Sequence, residues 1–167
     1  SYGGATATAL TAAVGAMETA YTDAAGRPNE DNARINLGGG TLGGVFGGQT
    51  SPLTAGVYTF GSGVIIADTI YFDGNADPNS VSIIQMTGNL LQYANIDVIL
   101  VNGALAKNIF WQISGNVEVG AGAHLEGILL VYTDVTFVTV SSLTGRVLTQ
   151  TACNLQKATI DDCNNLA

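Results

Sequence analysis

The stretches "HLEGILL" at residues 124–130 and "SLTGRVL" at residues 142–148 decide the fold of this chain. In each stretch a leucine stands two places before a glycine, and aliphatic residues follow shortly after. The two stretches begin eighteen residues apart. A fixed short period of this kind is typical of a solenoid, in which every coil is one structural unit that stacks on its neighbours.

The same period continues on both sides of these stretches. The positions that recur every eighteen residues are Val117 and Val119, then Val135 and Phe137, then Cys153 and Leu155. At about 3.3 Å per residue, eighteen residues make three strands of about five residues with tight corners. The sequence therefore predicts triangular coils, with glycine at the corners where a Cβ atom would collide. Earlier coils need longer corners, since Val64, Leu90 and Val117 are 26 and 27 residues apart.

One helix and a series of strands are predicted along the chain. Residues 7–25 carry apolar residues at intervals of three and four, which is typical of an amphipathic helix. Its apolar stripe consists of Leu10, Ala13, Val14, Met17, Ala20, Tyr21 and Ala24. Gly26 and Pro28 mark its end. The glycine-rich residues 28–56 lack the lysine and the strand-to-helix context of a phosphate-binding loop, so we interpret them as a connector. Short β-branched runs then fill residues 57–160.

The charge balance excludes several classes of partner. Thirteen acidic and five basic residues give a net charge of −8, which leaves no basic patch for nucleic acid or an anionic membrane. No apolar run approaches the roughly 20 residues that span a bilayer. The first residues, "SYGGATATAL", have no signal-peptide pattern. The chain is therefore predicted to be either intracellular or a mature, processed form.

Few residues suggest catalysis or metal binding. His124 lies two places before Glu126, but no nucleophile pattern accompanies the pair, so a surface or corner histidine is favoured and no enzyme is predicted. The stretch "DGNAD" at residues 73–77 resembles half of a calcium loop, yet Pro78 and Ile84 occupy the sixth and twelfth positions. We interpret it as a turn, and we predict no cofactor and no metal.

Two cysteines, Cys153 and Cys163, leave two alternatives open. A disulfide between them would close a small loop near the end of the chain and suit an oxidising compartment. The alternative is a buried thiol at Cys153 and a free thiol at Cys163.

Nearly the whole chain from the helix to Ile160 resembles the microbial ice-binding (antifreeze) proteins. The stretches that carry the resemblance, in the order of that family, are "AMETAYTDAAGRP", "LTAGVYTF", "FDGNADPNSVSIIQM", "LVNGALAKNIFWQI", "VGAGAHLEGILLVYTDVTF" and "SSLTGRVLTQTACNLQKATI". The resemblance implies a mainly β protein, a right-handed three-sided β-solenoid with one long helix along a side. It implies one secreted domain over residues 1–167, without the segment that usually precedes the helix in the family.

The resemblance also implies ice binding through a flat β face, and strand alternation indicates which residues form it. If the recurring apolar residues point inward, a column of Ile65, Leu91, Glu118, Thr136 and Asn154 points outward. The flanking positions are Gly63, Ala67, Asn89, Tyr93, Asn116, Gly120, Asp134, Val138, Ala152 and Gln156. The partner is then the water lattice of ice. The carboxylates of Glu118 and Asp134 and the bulk of Tyr93 predict a modest affinity.

The same column suggests a second hypothesis. Ile65, Leu91, Tyr93 and Val138 form a partly apolar stripe, and such stripes on monomers often mark a contact surface. A self-assembling extracellular fibre, adhesin or surface module, in which a homo-oligomer or filament neighbour supplies strands, is therefore the alternative.

Overall fold

The computed structural model describes residues 4–163, with no description of the side chains of residues 4–11 and 13. These residues form one long helix, short 3-10 turns and three parallel sheets wound into a β-solenoid. Every pairing between named strands is parallel, because the chain returns to each sheet one coil later.

The three sheets form the three sides of the coil. The ladder sheet contains, in spatial order, β1 (Thr41–Leu42), β4 (Val64–Ile66), β7 (Leu90–Gln92), β10 (Val117–Val119), β12 (Asp134–Phe137) and β14 (Ala152–Leu155). The helix-covered sheet contains β3 (Gly56–Phe60), β6 (Ser82–Met86), β9 (Ile109–Ile113), β11 (His124–Val131), β13 (Ser142–Thr149) and β15 (Thr159–Asp161). The short sheet contains β2 (Leu53–Thr54), β5 (Ile70–Asp73) and β8 (Val98–Val101).

The eighteen-residue coils contain two strands rather than the three predicted. The first residue of β11, His124, bridges to Asp97 beside the short sheet, whereas its last four residues pair with β9. One long strand therefore serves two sides of the coil and bends between them. The earlier coils, as predicted, are longer and place a separate strand in each sheet.

Glycine makes this bend, as the sequence predicts. Gly127 has a φ of +121°, a backbone conformation that residues with a side chain rarely adopt. Gly145 lies directly above it in the register, and a Cβ atom there would overlap the carbonyl oxygen of Gly127. Each of these two coils thus has one inward leucine and one glycine at the bend. The register pairs Leu125 with Leu143 and Gly127 with Gly145.

Large side chains fill the inside of the coils. Trp111, Phe60, Phe72 and Phe137 are almost completely buried. The Phe72 and Trp111 rings meet edge to face, with centroids 5.8 Å apart. Trp111 Nε1 donates a hydrogen bond of 2.9 Å to the carbonyl oxygen of Glu126, so the indole nitrogen keeps a partner inside the core.

The helix α1 (Gly4–Gly26) ends where the sequence predicts and packs on β6, β9 and β11. The Gln85 side-chain amide donates to the carbonyl oxygens of Ala24 at 2.7 Å and Arg27 at 2.8 Å, which ties the helix end to the sheet. Ala24 is buried but Val14 is 51% exposed, so the predicted stripe packs mainly near its C-terminal end. The predicted contacts of Leu10 and Ala13 lie outside the described side chains.

The two ends of the solenoid differ. The stack begins with β1 and β2, inside residues 28–56 where a connector is predicted, and the loop from Gly43 to Phe46 lies beside this first coil. At the other end, all four residues of β14 are exposed. The inward positions Cys153 and Leu155 were therefore predicted wrongly as core, because no further coil of the described chain covers them.

Both cysteines are free, so neither alternative for the pair is correct as stated. Cys153 is exposed on the ladder sheet, whereas Cys163 is buried and lines a cleft together with the loop at residues 104–107. Partial shielding from water raises the pKa of both thiols, although the Cys153 side chain stays accessible. We expect a thiol-specific aromatic disulfide reagent to modify Cys153 rapidly in the folded protein and Cys163 only after unfolding, as followed by peptide mass spectrometry. Two thiols that stay unmodified in denaturant without reductant would contradict this expectation.

Candidate functional site

The ladder sheet aligns one outward side chain from each coil. The register pairs Thr41 with Ile65, Ile65 with Leu91, Leu91 with Glu118, Glu118 with Thr136, and Thr136 with Asn154. We call these six residues the ladder. The predicted alignment of five of them is confirmed, and Thr41 is an addition that the sequence reasoning missed. Its position directly after "GGG" at 38–40 concealed the strand.

Alternation separates the ladder from the core. The neighbours of each ladder residue along β4, β7, β10 and β12 point inward and are at most 1% exposed, as for Val64, Val119 and Phe137. Ile65, Leu91 and Thr136 are half-buried, whereas Thr41, Glu118 and Asn154 are exposed. Because parallel strands lie about 4.8 Å apart, the ladder presents one side chain at each such interval.

The predicted flanking residues lie on both sides of the ladder. Gly63, Asn89, Asn116, Asp134 and Ala152 form one flank, and Ala67, Tyr93, Gly120, Val138 and Gln156 form the other. The Oδ1 atom of Asn89 accepts a hydrogen bond of 3.0 Å from the backbone N–H of Asn116, which holds two neighbouring coils together. Tyr93 is 47% exposed, as its predicted protrusion requires.

The ladder carries two apolar side chains, two hydroxyls, one amide and one carboxylate. Glu118 is the only charged residue among the six. Asp134 stands diagonally beside it on the flank, because Asp134 lies two residues before Thr136, which pairs with Glu118. Clefts lie near the helix and beside the loop at residues 104–107, and no ladder residue lines these clefts. The surface therefore suits contact with an extended, repetitive partner rather than a small molecule.

A polar cluster lies where β11 and β13 begin, and it adds Ser142 to the pair of His124 and Glu126 that the sequence analysis singled out. His124 Nδ1 lies 2.7 Å from Ser142 Oγ, and His124 Nε2 lies 2.9 Å from Glu126 Oε1. The chain of contacts from Ser142 through His124 to Glu126 resembles the serine, histidine and acid of a serine hydrolase triad. The backbone N–H of Ser142 donates to Ala123 and that of His124 donates to Ile96, so neither is free to stabilise an oxyanion.

This cluster makes stability depend on pH. The hydrogen bond to Glu126 raises the pKa of His124 above 6.5, burial opposes the increase, and the charges of Glu126, Asp97 and Asp161 add to it. The folded state therefore binds the proton more tightly than the unfolded state. The stabilisation is fully present below about pH 6.5 and is lost as the pH rises through the folded-state pKa.

We expect the denaturant concentration at the midpoint of unfolding to decrease for the wild type as the pH is raised from about 6 to about 8.5. In His124→Gln the fall should be smaller, because the titrating group is gone. Chemical denaturation followed by circular dichroism measures both proteins. A stability difference between the two that stays constant over this range would contradict the assignment.

The stretch at residues 73–77 is a turn, as predicted. Asp73 Oδ1 accepts a hydrogen bond of 2.7 Å from the backbone N–H of Asn75, and Asp77 Oδ1 accepts one of 2.9 Å from Asn79. Both carboxylates thus serve the backbone of the turn. Among residues 4–163 no group of three or more His, Cys, Asp or Glu residues is arranged to hold a metal ion.

The family model of ice-binding-like proteins matches residues 1–161. The chain belongs to this family. An ice-binding protein of Flavobacterium frigoris is 42% identical over 154 residues, which are 92% of this chain and 52% of that protein. An ice-binding protein of a Colwellia species is 43% identical over 152 residues, 91% of this chain and 56% of that protein. The chain therefore spans about half the length of these relatives.

Solved structures of the ice-binding family share the fold. The ice-binding protein LeIBP from an Arctic yeast, whose structure is described as the basis of its antifreeze activity, superimposes with a TM-score of 0.86 at 39% identity. That alignment covers 96% of this chain and 65% of LeIBP. The ice-binding protein 1 domain of Shewanella frigidimarina gives a TM-score of 0.79 at 29% identity, with 91% of this chain and 62% of that one covered.

No helix within residues 4–163 is long and apolar enough to cross a membrane.

Proposed function

We propose that this chain binds ice through the ladder and its flanks, and that it thereby inhibits ice growth or recrystallisation. The observation that carries the proposal is the unbroken register of six outward side chains on one parallel sheet. Membership of the ice-binding family supports it, since the relatives named above are ice-binding proteins.

The physical basis is an array of weak contacts held in fixed positions. Methyl groups of Ile65, Leu91 and Thr136 order the water beside them, and hydroxyl and amide groups of Thr41, Thr136 and Asn154 anchor it by hydrogen bonds. Each contact contributes little on its own. Because the side chains are already fixed by the sheet, little conformational entropy is lost when ordered water forms against them.

The role is proposed to be non-enzymatic and extracellular. Nothing in the ladder requires a cofactor, and the polar cluster at His124 lacks free backbone donors at Ser142 and His124. Contact with growing ice takes place outside the cell, so a secreted protein is the proposed form. The proposed partner is the water lattice of ice, and neither nucleic acid nor a membrane is proposed as a partner.

Self-association stays a prediction. Within residues 4–163 the outer edge of β14 pairs with no strand, and a neighbouring copy could add a strand there. The relatives are ice-binding proteins and give no support to a fibre or adhesin. Sedimentation velocity at increasing concentration measures whether copies associate.

Ice activity can be tested directly. At millimolar concentration the protein is expected to separate the melting and freezing points of ice, or to reshape a single ice crystal. At lower concentration it is expected to keep ice grains small during annealing. A heat-denatured sample of the same protein is the control. Folded protein that leaves both ice growth and grain size unchanged would overturn the proposal.

A further inference from the structure

We infer that the carboxylates of Glu118 and Asp134 attenuate the ice-binding surface, so that the chain binds ice more weakly than its fold allows. This inference rests on the proposed function and concerns what limits the ice affinity of the same surface. It follows from the position, exposure and charge of these two residues on the ladder sheet.

Glu118 occupies the middle of the ladder. The register places it between Leu91 and Thr136, and it is exposed where both of these neighbours are half-buried. The longest polar side chain of the ladder therefore stands at its centre. A planar partner that touches Leu91 and Thr136 must also meet the carboxylate of Glu118.

Asp134 adds a second negative charge on the same surface. It lies on the flank beside Thr136 and pairs with Ala152. The ion pairs of residues 4–163 join Arg27 with Asp23, Arg34 with Asp31, His124 with Glu126, and Arg146 with Asp162. Neither Glu118 nor Asp134 takes part in them, so neither carboxylate has a salt-bridge partner among these residues, and solvent balances most of their charge.

Contact with ice removes this solvent balance. A carboxylate in water is stabilised by mobile dipoles and counterions, and transfer away from them is costly unless a paired charge replaces them. The ice lattice has fixed water positions and excludes ions. The two carboxylates must therefore keep a layer of liquid water between themselves and the lattice, which weakens the contacts of the neighbouring ladder residues.

Removal of the charge without a change of shape tests the inference. Glu118→Gln is expected to raise thermal hysteresis at least about threefold at equal protein concentration, and Asp134→Asn to raise it to a smaller extent because Asp134 is half-buried. Glu118→Thr, which gives the centre of the ladder the side chain of Thr41 and Thr136, should raise it as well. Glu30→Gln is the control, since Glu30 is exposed in a loop away from the ladder sheet.

The outcomes separate this inference from the proposed function. If the wild type is active and Glu118→Gln equals it or falls below it, the attenuation is wrong while ice binding stands. If Glu118→Thr gains activity and Glu118→Gln does not, side-chain length rather than charge is limiting, and the attenuation by charge is again wrong. If the wild type and all these variants fold but none affects ice, the proposed function itself fails. An equal gain in Glu30→Gln would show an effect of net charge and would also overturn the inference.

Discussion

Replacement of Thr136 by tyrosine is expected to weaken adsorption to ice roughly tenfold, which corresponds to about 1.4 kcal/mol of adsorption free energy, and thereby to lower thermal hysteresis strongly. Thr136 lies in the ladder between Glu118 and Asn154, and it is half-buried by its neighbours. A tyrosine ring would project well beyond them. Because the sheet meets the ice as one flat surface, a ring that protrudes from the ladder itself, unlike Tyr93 on the flank, separates the neighbouring ladder residues from the ice.

A matched variant separates loss of contact from loss of fold. Thr22→Tyr places the same ring on the exposed side of α1, which packs on the helix-covered sheet rather than the ladder sheet. Both variants should retain the circular dichroism spectrum and unfolding temperature of the wild type. Activity is measured by nanolitre osmometry of purified protein. Equal losses in the two variants, or no loss in Thr136→Tyr, would place ice binding on another surface.

Replacement of Gly145 by alanine is expected to destabilise the fold by about 3 kcal/mol or more, which lowers the unfolding temperature by roughly 6–12 °C. The new Cβ atom would overlap the backbone carbonyl of Gly127 in the preceding coil. A flexible side chain could move away, but this oxygen belongs to a strand that is held by β9 on its other side. The strain therefore spreads through two coils.

The helix offers a control of the same chemical kind. Gly15 lies inside α1, and a Cβ atom there would have no neighbour within 4 Å. Gly15→Ala should stabilise the protein by up to about 1 kcal/mol, because alanine favours helix more than glycine does. Thermal unfolding followed by circular dichroism measures both. Similar unfolding temperatures for Gly145→Ala and the wild type would show that the coils separate easily at the bend.

The register of the ladder is predictable because it depends on spacing alone. In a strand the side chains alternate, and in a solenoid the period places residues of successive coils in line. A spacing of eighteen residues is therefore sufficient to set Glu118 beside Thr136 and Thr136 beside Asn154. The 26- and 27-residue spacings do the same for Ile65 and Leu91, although they do not define the path of the longer corners.

The polar cluster shows what spacing does not reveal. His124 and Ser142 are eighteen residues apart, so the period does place them side by side. Their hydrogen bond, however, also depends on the conformations of both side chains, which the period does not give. The sequence therefore indicated a histidine at a corner but did not indicate its partner.

The sequence by itself determined the helix end, the inward and outward faces of the strands and the order of the ladder, because these follow from local chain geometry and from a repeated period. The tertiary structure alone decided three features: that Thr41 begins the stack, that one bent strand serves two sides of the late coils, and that Cys153 and Leu155 are exposed. Burial is not a property of a residue or of its period. It depends on whether another coil lies above, and for β14 the described chain supplies none.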